Sequence, residues 1–454
     1  MPVDFLSLYQ ETIGYQPQQI LGYIWQVIRN WWWLFLPFFI VGDDSSPPTF
    51  LFFWRRWRKD VWYANVFDPV VYELKIPREI KKPIRAMEKV IIDIHTCIYH
   101  PPDWWEKWIE GQDQTSVSFE VASAEGSIHF YIRLHSAYTD GVKAAFYAEY
   151  PDIEFEKVND YTREVPQDIP NEEWDMWGTN YFLIKPDAYP ILTYKDFETE
   201  REAEEEKRVD PVSSLLEAMS LVSEGEQLWI QIVGTPMGQE GYDAWKEEAI
   251  KVRDRVANRL SDDKPIKRRP IPLEAMDLLL WGKMPEEIKI EEEEGFLPPE
   301  LKLTPGEREI LAAIERKLSK PVFNSYARFI LLGKRGLWSK AKLRLAFTYF
   351  GSYKTEHINS LHPYAATLTK IKKKWFLPIN WVRPRRMHLR QRRLFRLYRD
   401  RLPPHYPRSP GKGAYMLSVE EVASLYHFTS WEIAPVPGVS RVEAKKKPPP
   451  ELPA

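Results

Sequence analysis

The chain has 454 residues, with 63 Lys+Arg against 65 Asp+Glu and a formal charge of -2, so no global field selects a charged partner. A single cysteine, Cys97, excludes an internal disulfide and suits a reducing compartment. Ten of the 19 tryptophans crowd the first third, and 38 prolines against 20 glycines imply stiff connections in a chain long enough for two domains besides an anchor.

The first expected element is a membrane anchor over residues 1–60. Trp31, Trp32 and Trp33 open an apolar run of Leu34, Phe35, Leu36, Phe38, Phe39 and Ile40, and Arg55, Arg56 and Arg58 close it. Indole rings settle at the headgroup level and basic residues stay on the cytoplasmic side, which places the bulk of the chain at the cytoplasmic face of the inner membrane. A spanning helix needs about 20 apolar residues. Residues 19–41 reach that length only by including Arg29 and Asn30, and residues 31–57 are interrupted by Asp43, Asp44, Pro47 and Pro48. A span over 19–41, a broken span over 31–57, a flat interfacial anchor and a buried hairpin of a soluble domain are the four geometries compatible with this pattern. Asp4 and Glu11 stand where a signal peptide needs basic residues, so cleavage is not expected.

Residues 70–160 read as a ferredoxin-like unit. Tyr72, Leu74 and Ile76 alternate as a strand, and Ile84, Met87, Ile91, Ile94 and Ile98 repeat at helical spacing. Val117, Phe119 and Val121 form a hairpin with Ile128, Phe130, Ile132 and Leu134 through the turn Ser123–Gly126. A helix over 141–149 and a strand at Ile153 and Phe155 complete the order β-α-β-β-α-β. An RNA-binding sheet of this kind displays paired aromatics. Tyr131, beside His129, Arg133 and Ser118, is too little for that, and packing against another protein is the expected use of the face.

Residues 161–210 read as an acidic, proline-bearing linker with short strands at 181–184 and 191–194. A second, more decorated α+β domain is expected over 211–428, with insertions at 261–303 and 365–412, followed by a proline-rich, basic tail over 429–454. Capping boxes at Thr304/Glu307 and Ser418/Glu421 mark two helix starts within it. The fold class is therefore α+β: an N-terminal membrane anchor, a ferredoxin-like domain and a second α+β domain.

No chemistry emerges from the motifs. Gly333-Lys334-Arg335-Gly336 lacks both the leading glycine and the hydroxyl of a phosphate loop, and Gly411-Lys412-Gly413 fails likewise. The nine histidines show no metal spacing, His427 reads as a lone helix-end residue, and neither cofactor nor catalytic residue is expected. The sharp feature is 370–412, where Lys370, Lys372, Lys373, Lys374, Arg383, Arg385, Arg386, Arg390, Arg392, Arg393, Arg396, Arg399, Arg401, Arg408 and Lys412 face a single acid, Asp400. Such a segment meets DNA or RNA phosphate, anionic headgroups or an acidic protein face, or remains a solvated helix.

The anchor, Tyr72–Glu79 (YELKIPRE), Ser116–Ile132, Ala148–Phe155, Asp210–Ile232, Arg390–Arg401 (RQRRLFRLYRDR) and Leu417–Phe428 (LSVEEVASLYHF) together resemble a family. They are similar to the uncharacterised membrane-anchored region that precedes the motor in conjugative coupling-protein-like ATPases of candidate-phylum bacteria. The chain ends at Pro448–Pro453, about where that motor would begin. The resemblance implies a non-enzymatic accessory or scaffold subunit of a conjugation or type IV secretion apparatus, partnering a separate ATPase or derived from a split gene. A tethered nucleic-acid-binding module acting through 370–412 is the alternative, and self-association is compatible with either.

Overall fold

The computed structural model describes residues 21–22, 25–26, 29–30, 49–77, 80, 82–197, 210–257, 303–337, 342–371, 379–406, 411–429 and 438–442. The chain divides into two compact units, 1–67 with 101–113, and 68–100 with 114–454.

In the smaller unit, helix α1 (Thr49–Asn65) packs on the segment 101–113. Trp54 donates its indole N–H to the Trp108 carbonyl at 2.8 Å, Arg58 donates to the Ile109 carbonyl, and Lys59 pairs with Asp113. Gly111, at φ +81°, lets the chain turn against α1. A Cβ there would stand 2.3 Å from the Arg58 carbonyl group.

The expected membrane-spanning anchor is corrected here. Among the described residues no helix is long and apolar enough to cross a membrane. The reason is visible in α1, whose 17 residues include Arg55, Arg56, Arg58, Lys59 and Asp60. Trp31, Trp32, Trp33, Leu34, Phe35, Leu36, Phe38, Phe39 and Ile40 lie outside the described residues.

In the larger unit the α+β expectation is met by one ten-stranded sheet. Strands β1 (Pro69–Pro77), β2 (Val117–Ala124), β3 (Ser127–His135) and β4 (Glu154–Val158) pair antiparallel in the order β4-β1-β3-β2. The β2–β3 turn places Glu125 and Gly126 at φ 53° and 85°, a two-residue connection of the type that matches strand twist. Helix α2 (Ile84–Ile98) and α3 (Thr139–Glu149) cross one face. In α2, Met87, Ile91, Ile94 and Ile98 are spaced by four, three and four residues and are buried, each worth about 1.5–3 kcal/mol of transfer free energy.

The second block repeats that arrangement and joins it. Strands β5 (Trp174–Leu183), β6 (Glu226–Pro236), β7 (Val322–Lys334) and β8 (Leu361–Pro363) follow the order β6-β7-β5-β8, again antiparallel. Helices α4 (Pro211–Ser220) and α7 (Leu343–Gly351) take the places of α2 and α3. Helices α5 (Gln239–Val256) and α6 (Pro305–Leu318) intervene between β6 and β7. The halves meet where β2 pairs antiparallel with β6, Glu120 opposite Gln231, so that a local two-fold relates them and no edge separates them. Short strands β9 (Tyr415–Ser418) and β10 (Arg441–Val442) add to β7 and β1. Helix α9 (Val419–Leu425), capped by Ser418 and Glu421, joins α2, α3, α4 and α7 over the main core.

No strand forms at 191–194. There the backbone N–H groups of Ile191, Thr193 and Tyr194 are taken by the Glu421 carboxylate, the Asp196 carboxylate and the Ser424 hydroxyl, and a helical turn starts at Tyr194. The opposite sheet face carries a second core covered by residues 161–169 and helix α8 (Ile379–Arg399). Tyr131 is buried there, stacked on Tyr161 at 4.6 Å, so the chain itself covers the face expected to receive another protein.

Candidate functional site

Directly opposed residues on neighbouring strands project from the same face. One level of the sheet beneath α8 thereby collects Glu156, Glu73, Tyr131, Glu120, Gln231, Arg328 and Asn180 in a single polar row. All but Glu156 are buried, and Glu120, Gln231, Arg328 and Asn180 are completely so. Burying such groups is costly unless each finds a partner.

Glu120, at the local two-fold, finds five. Its carboxylate accepts from Ser118 Oγ at 2.5 Å, Gln231 Nε2 at 3.0 Å, Tyr161 Oη at 2.6 Å, and Arg401 Nε and Nη2 at 2.8 and 2.9 Å. Because Tyr161 spends its proton on Glu120, Tyr398 donates to the Tyr161 oxygen at 2.9 Å. Arg401 turns its remaining N–H groups to Asp160 and to the Arg399 carbonyl, and it reaches this position through a left-handed backbone at φ 52°. Burial alone would push both carboxyls up. The Arg401 charge and hydrogen bonds more than offset it, and both titrate below their ordinary range.

This cluster fixes the C-terminal end of α8. Farther along, Gln391 donates to the Met176 carbonyl at 2.6 Å and to Asp175 at 3.0 Å, while Leu394, Phe395 and Tyr398 pack against Trp229 and Ile330. A helix held so firmly on one side presents its other side in a fixed orientation. Arg385, Arg386, Arg392, Arg393 and Arg396 are exposed. Arg385, Arg392 and Arg396, spaced by seven and four residues, share one stripe, and no carboxylate among the described residues pairs with them.

The basic set expected to bind one anionic partner is thus divided. Arg401 belongs to the interior. Arg399 is engaged with Asp400 and Gln167, and Arg383 and Arg390 donate to the carbonyls of Ile371 and Leu368. Burial and the neighbouring Arg386 charge hold Arg390 below its usual range, a direct sign of cationic crowding. Arg393 touches the Tyr406 carbonyl at 3.3 Å from the surface. Lys372, Lys373 and Lys374 lie outside the described residues. In the smaller unit, Arg55 stacks over Trp108, Arg58 over Trp57, and Arg56 is half-buried.

Sequence reasoning missed Glu120, Gln231, Arg328 and Asp160. The available signal was weak: polar residues at alternate positions of β2 and β6 look solvent-facing until a covering helix is known. His427 was read too simply. It is buried between the Ala423 carbonyl and Asp210 at 3.0 and 2.9 Å and ties the end of α9 to the start of α4.

A cavity of about 320 Å³ opens between residues 190–193, α6 and residues 355–358. Arg316 stands there 3.9 Å from Asp196 and 3.8 Å from Glu420, and Glu420 also takes Lys195, Lys320 and Thr193, so the cavity's charges neutralise one another. Among the described residues no group of three or more His, Cys, Asp or Glu could hold a metal ion. No protein-family model matches the sequence, and no curated protein is found to be similar to it.

Proposed function

We propose that this chain is a non-catalytic adaptor that holds nucleic acid for a separate DNA-transfer ATPase, at the cytoplasmic side of the inner membrane. What supports the reading is the stripe of Arg385, Arg392 and Arg396, exposed on a helix whose other side is locked into the sheet. Guanidinium groups without acidic neighbours meet phosphates by releasing counter-ions, and a helix that does not have to order itself on binding loses less entropy. The resemblance to the region preceding conjugative motors supplies the setting.

The test is fluorescence anisotropy with labelled single-stranded and duplex DNA across a salt series. The wild-type chain is expected to bind with an affinity that falls steeply with salt. Joint substitution Arg385→Ala, Arg392→Ala and Arg396→Ala is expected to flatten the logarithmic slope by roughly 2–3, at about 0.9 per phosphate contact. Unfolding stability should stay within about 0.5 kcal/mol of wild type. No binding at low salt, or an unchanged slope in the triple variant, would overturn the reading. Recovery of a phosphate-loop ATPase with the native chain tests the setting separately.

A further inference from the structure

The local two-fold sets Glu73, Tyr131 and Glu120 against Asn180, Arg328 and Gln231, and the two halves of the row are satisfied very differently. In the first half the carboxylates are matched: Glu73 takes His129 at 2.7 Å, and Glu120 takes its five donors. In the second half Arg328 is fully buried, donates Nη2 to the Leu402 carbonyl and lies over the Tyr326 ring at 4.6 Å. Its Nε and Nη1, both side-chain atoms of Asn180 and Oε1 of Gln231 have no hydrogen-bond partner among the described residues.

These five atoms belong to three directly opposed residues on β5, β7 and β6, so they lie on one face of the sheet at one level, where Arg328 reaches the Leu402 carbonyl after α8. They form a mixed set: three donors, two of them on a cation, and two acceptors. Native interiors leave few such groups unmet. The neighbouring charges are matched, since the Glu120 carboxylate that accepts from Gln231 is paired with Arg401, and burial brings Arg328 itself down to about 10.

We propose that Arg328, Asn180 and Gln231 form a buried site for one small oxyanion that carries its own hydroxyl, of the hydrogenphosphate or hydrogencarbonate class. Its anionic oxygens accept from Arg328 Nε and Nη1 and from Asn180 Nδ2. Its hydroxyl donates to Asn180 Oδ1 or Gln231 Oε1. A halide would neutralise the guanidinium and leave both amide oxygens unmet, which is why the oxyanion is favoured. The site is independent of the arginine stripe and stands or falls apart from nucleic-acid binding.

The experiment is thermal unfolding of the full chain in sodium phosphate, sodium bicarbonate or sodium chloride at matched pH and ionic strength. A ligand that binds only the folded state raises Tm saturably. Phosphate or bicarbonate is expected to raise it by about 2 °C or more while chloride does not. The triple arginine variant should keep this response, which separates the site from surface binding. Asn180→Asp supplies a fixed carboxylate beside Arg328, so that variant should lose the response and match or exceed wild-type Tm without phosphate. Equal effects of all three salts, no effect of any, or an undiminished response in Asn180→Asp would overturn the proposal in favour of water or an empty contact.

Discussion

Replacing Arg401 by methionine tests the buried cluster most directly. The substitution keeps the unbranched apolar stem of the side chain and removes the cation that faces Glu120 and Asp160, whose side chains are 0 % and 16 % exposed. Breaking a buried pair from one side costs about 3–5 kcal/mol, because the opposite charge stays in the interior. Ser118, Tyr161 and Gln231 still donate to Glu120, and Thr162 to Asp160, so the loss is expected inside that range and not beyond it. Urea unfolding at pH 7 measures it.

The pH dependence carries the sharper sign. In the wild type both carboxyls titrate below their unfolded values of 4.5 and 3.8. Their contribution is therefore complete above those values and drains away as pH falls through the lower folded ones. In Arg401→Met burial and the mutual repulsion of the two carboxylates are opposed only by the remaining hydrogen bonds and raise them, so stability should increase as pH drops from 7 toward the unfolded values. The double variant Arg401→Met, Glu120→Gln should recover more than half of the loss at pH 7. A loss under about 1 kcal/mol, the scale of an exposed pair, or a wild-type-like acid slope in Arg401→Met would refute this reasoning.

Two further outcomes follow from contacts described above. Gln391→Leu leaves the Met176 carbonyl without its donor and should cost about 1–3 kcal/mol in urea unfolding, with a weaker hold on α8 read as lower DNA affinity. Gly111→Ala drives a Cβ into the Arg58 backbone at a positive φ and should destabilise the smaller unit by about 1–3 kcal/mol. Tryptophan emission reporting on Trp54, Trp57 and Trp108 should shift to the red at lower denaturant, while far-UV dichroism of the larger unit keeps its midpoint.

Local elements were legible because local rules govern them. The hairpin around Glu125 and Gly126, the Ile91–Ile98 stripe, and the caps at Thr304 and Ser418 all sit where periodicity and capping chemistry put them. The join between β2 and β6 was not legible, since it pairs residues 111 positions apart and leaves no local trace. The basic segment was legible as composition but not as division of labour. Arg401 and Arg396 are chemically identical in the sequence, and only the turn after α8 sends one inward to Glu120 and the other to solvent. The expectation of a membrane-spanning helix failed on α1 for a related reason: its tryptophans and arginines engage one another and the segment 101–113.

The continuous ladder from β4 to β8 also determines how the molecule bears load. Eight strands at about 4.8 Å spacing make a plank roughly 34 Å wide with no seam at its middle. A pull on the arginine helix is therefore taken up by the whole width at once, because sliding one half past the other means tearing eight backbone registers between Val117 and Ala124. Made as separate pieces, the halves would each bare a long unsatisfied strand and seize any chain able to lend one.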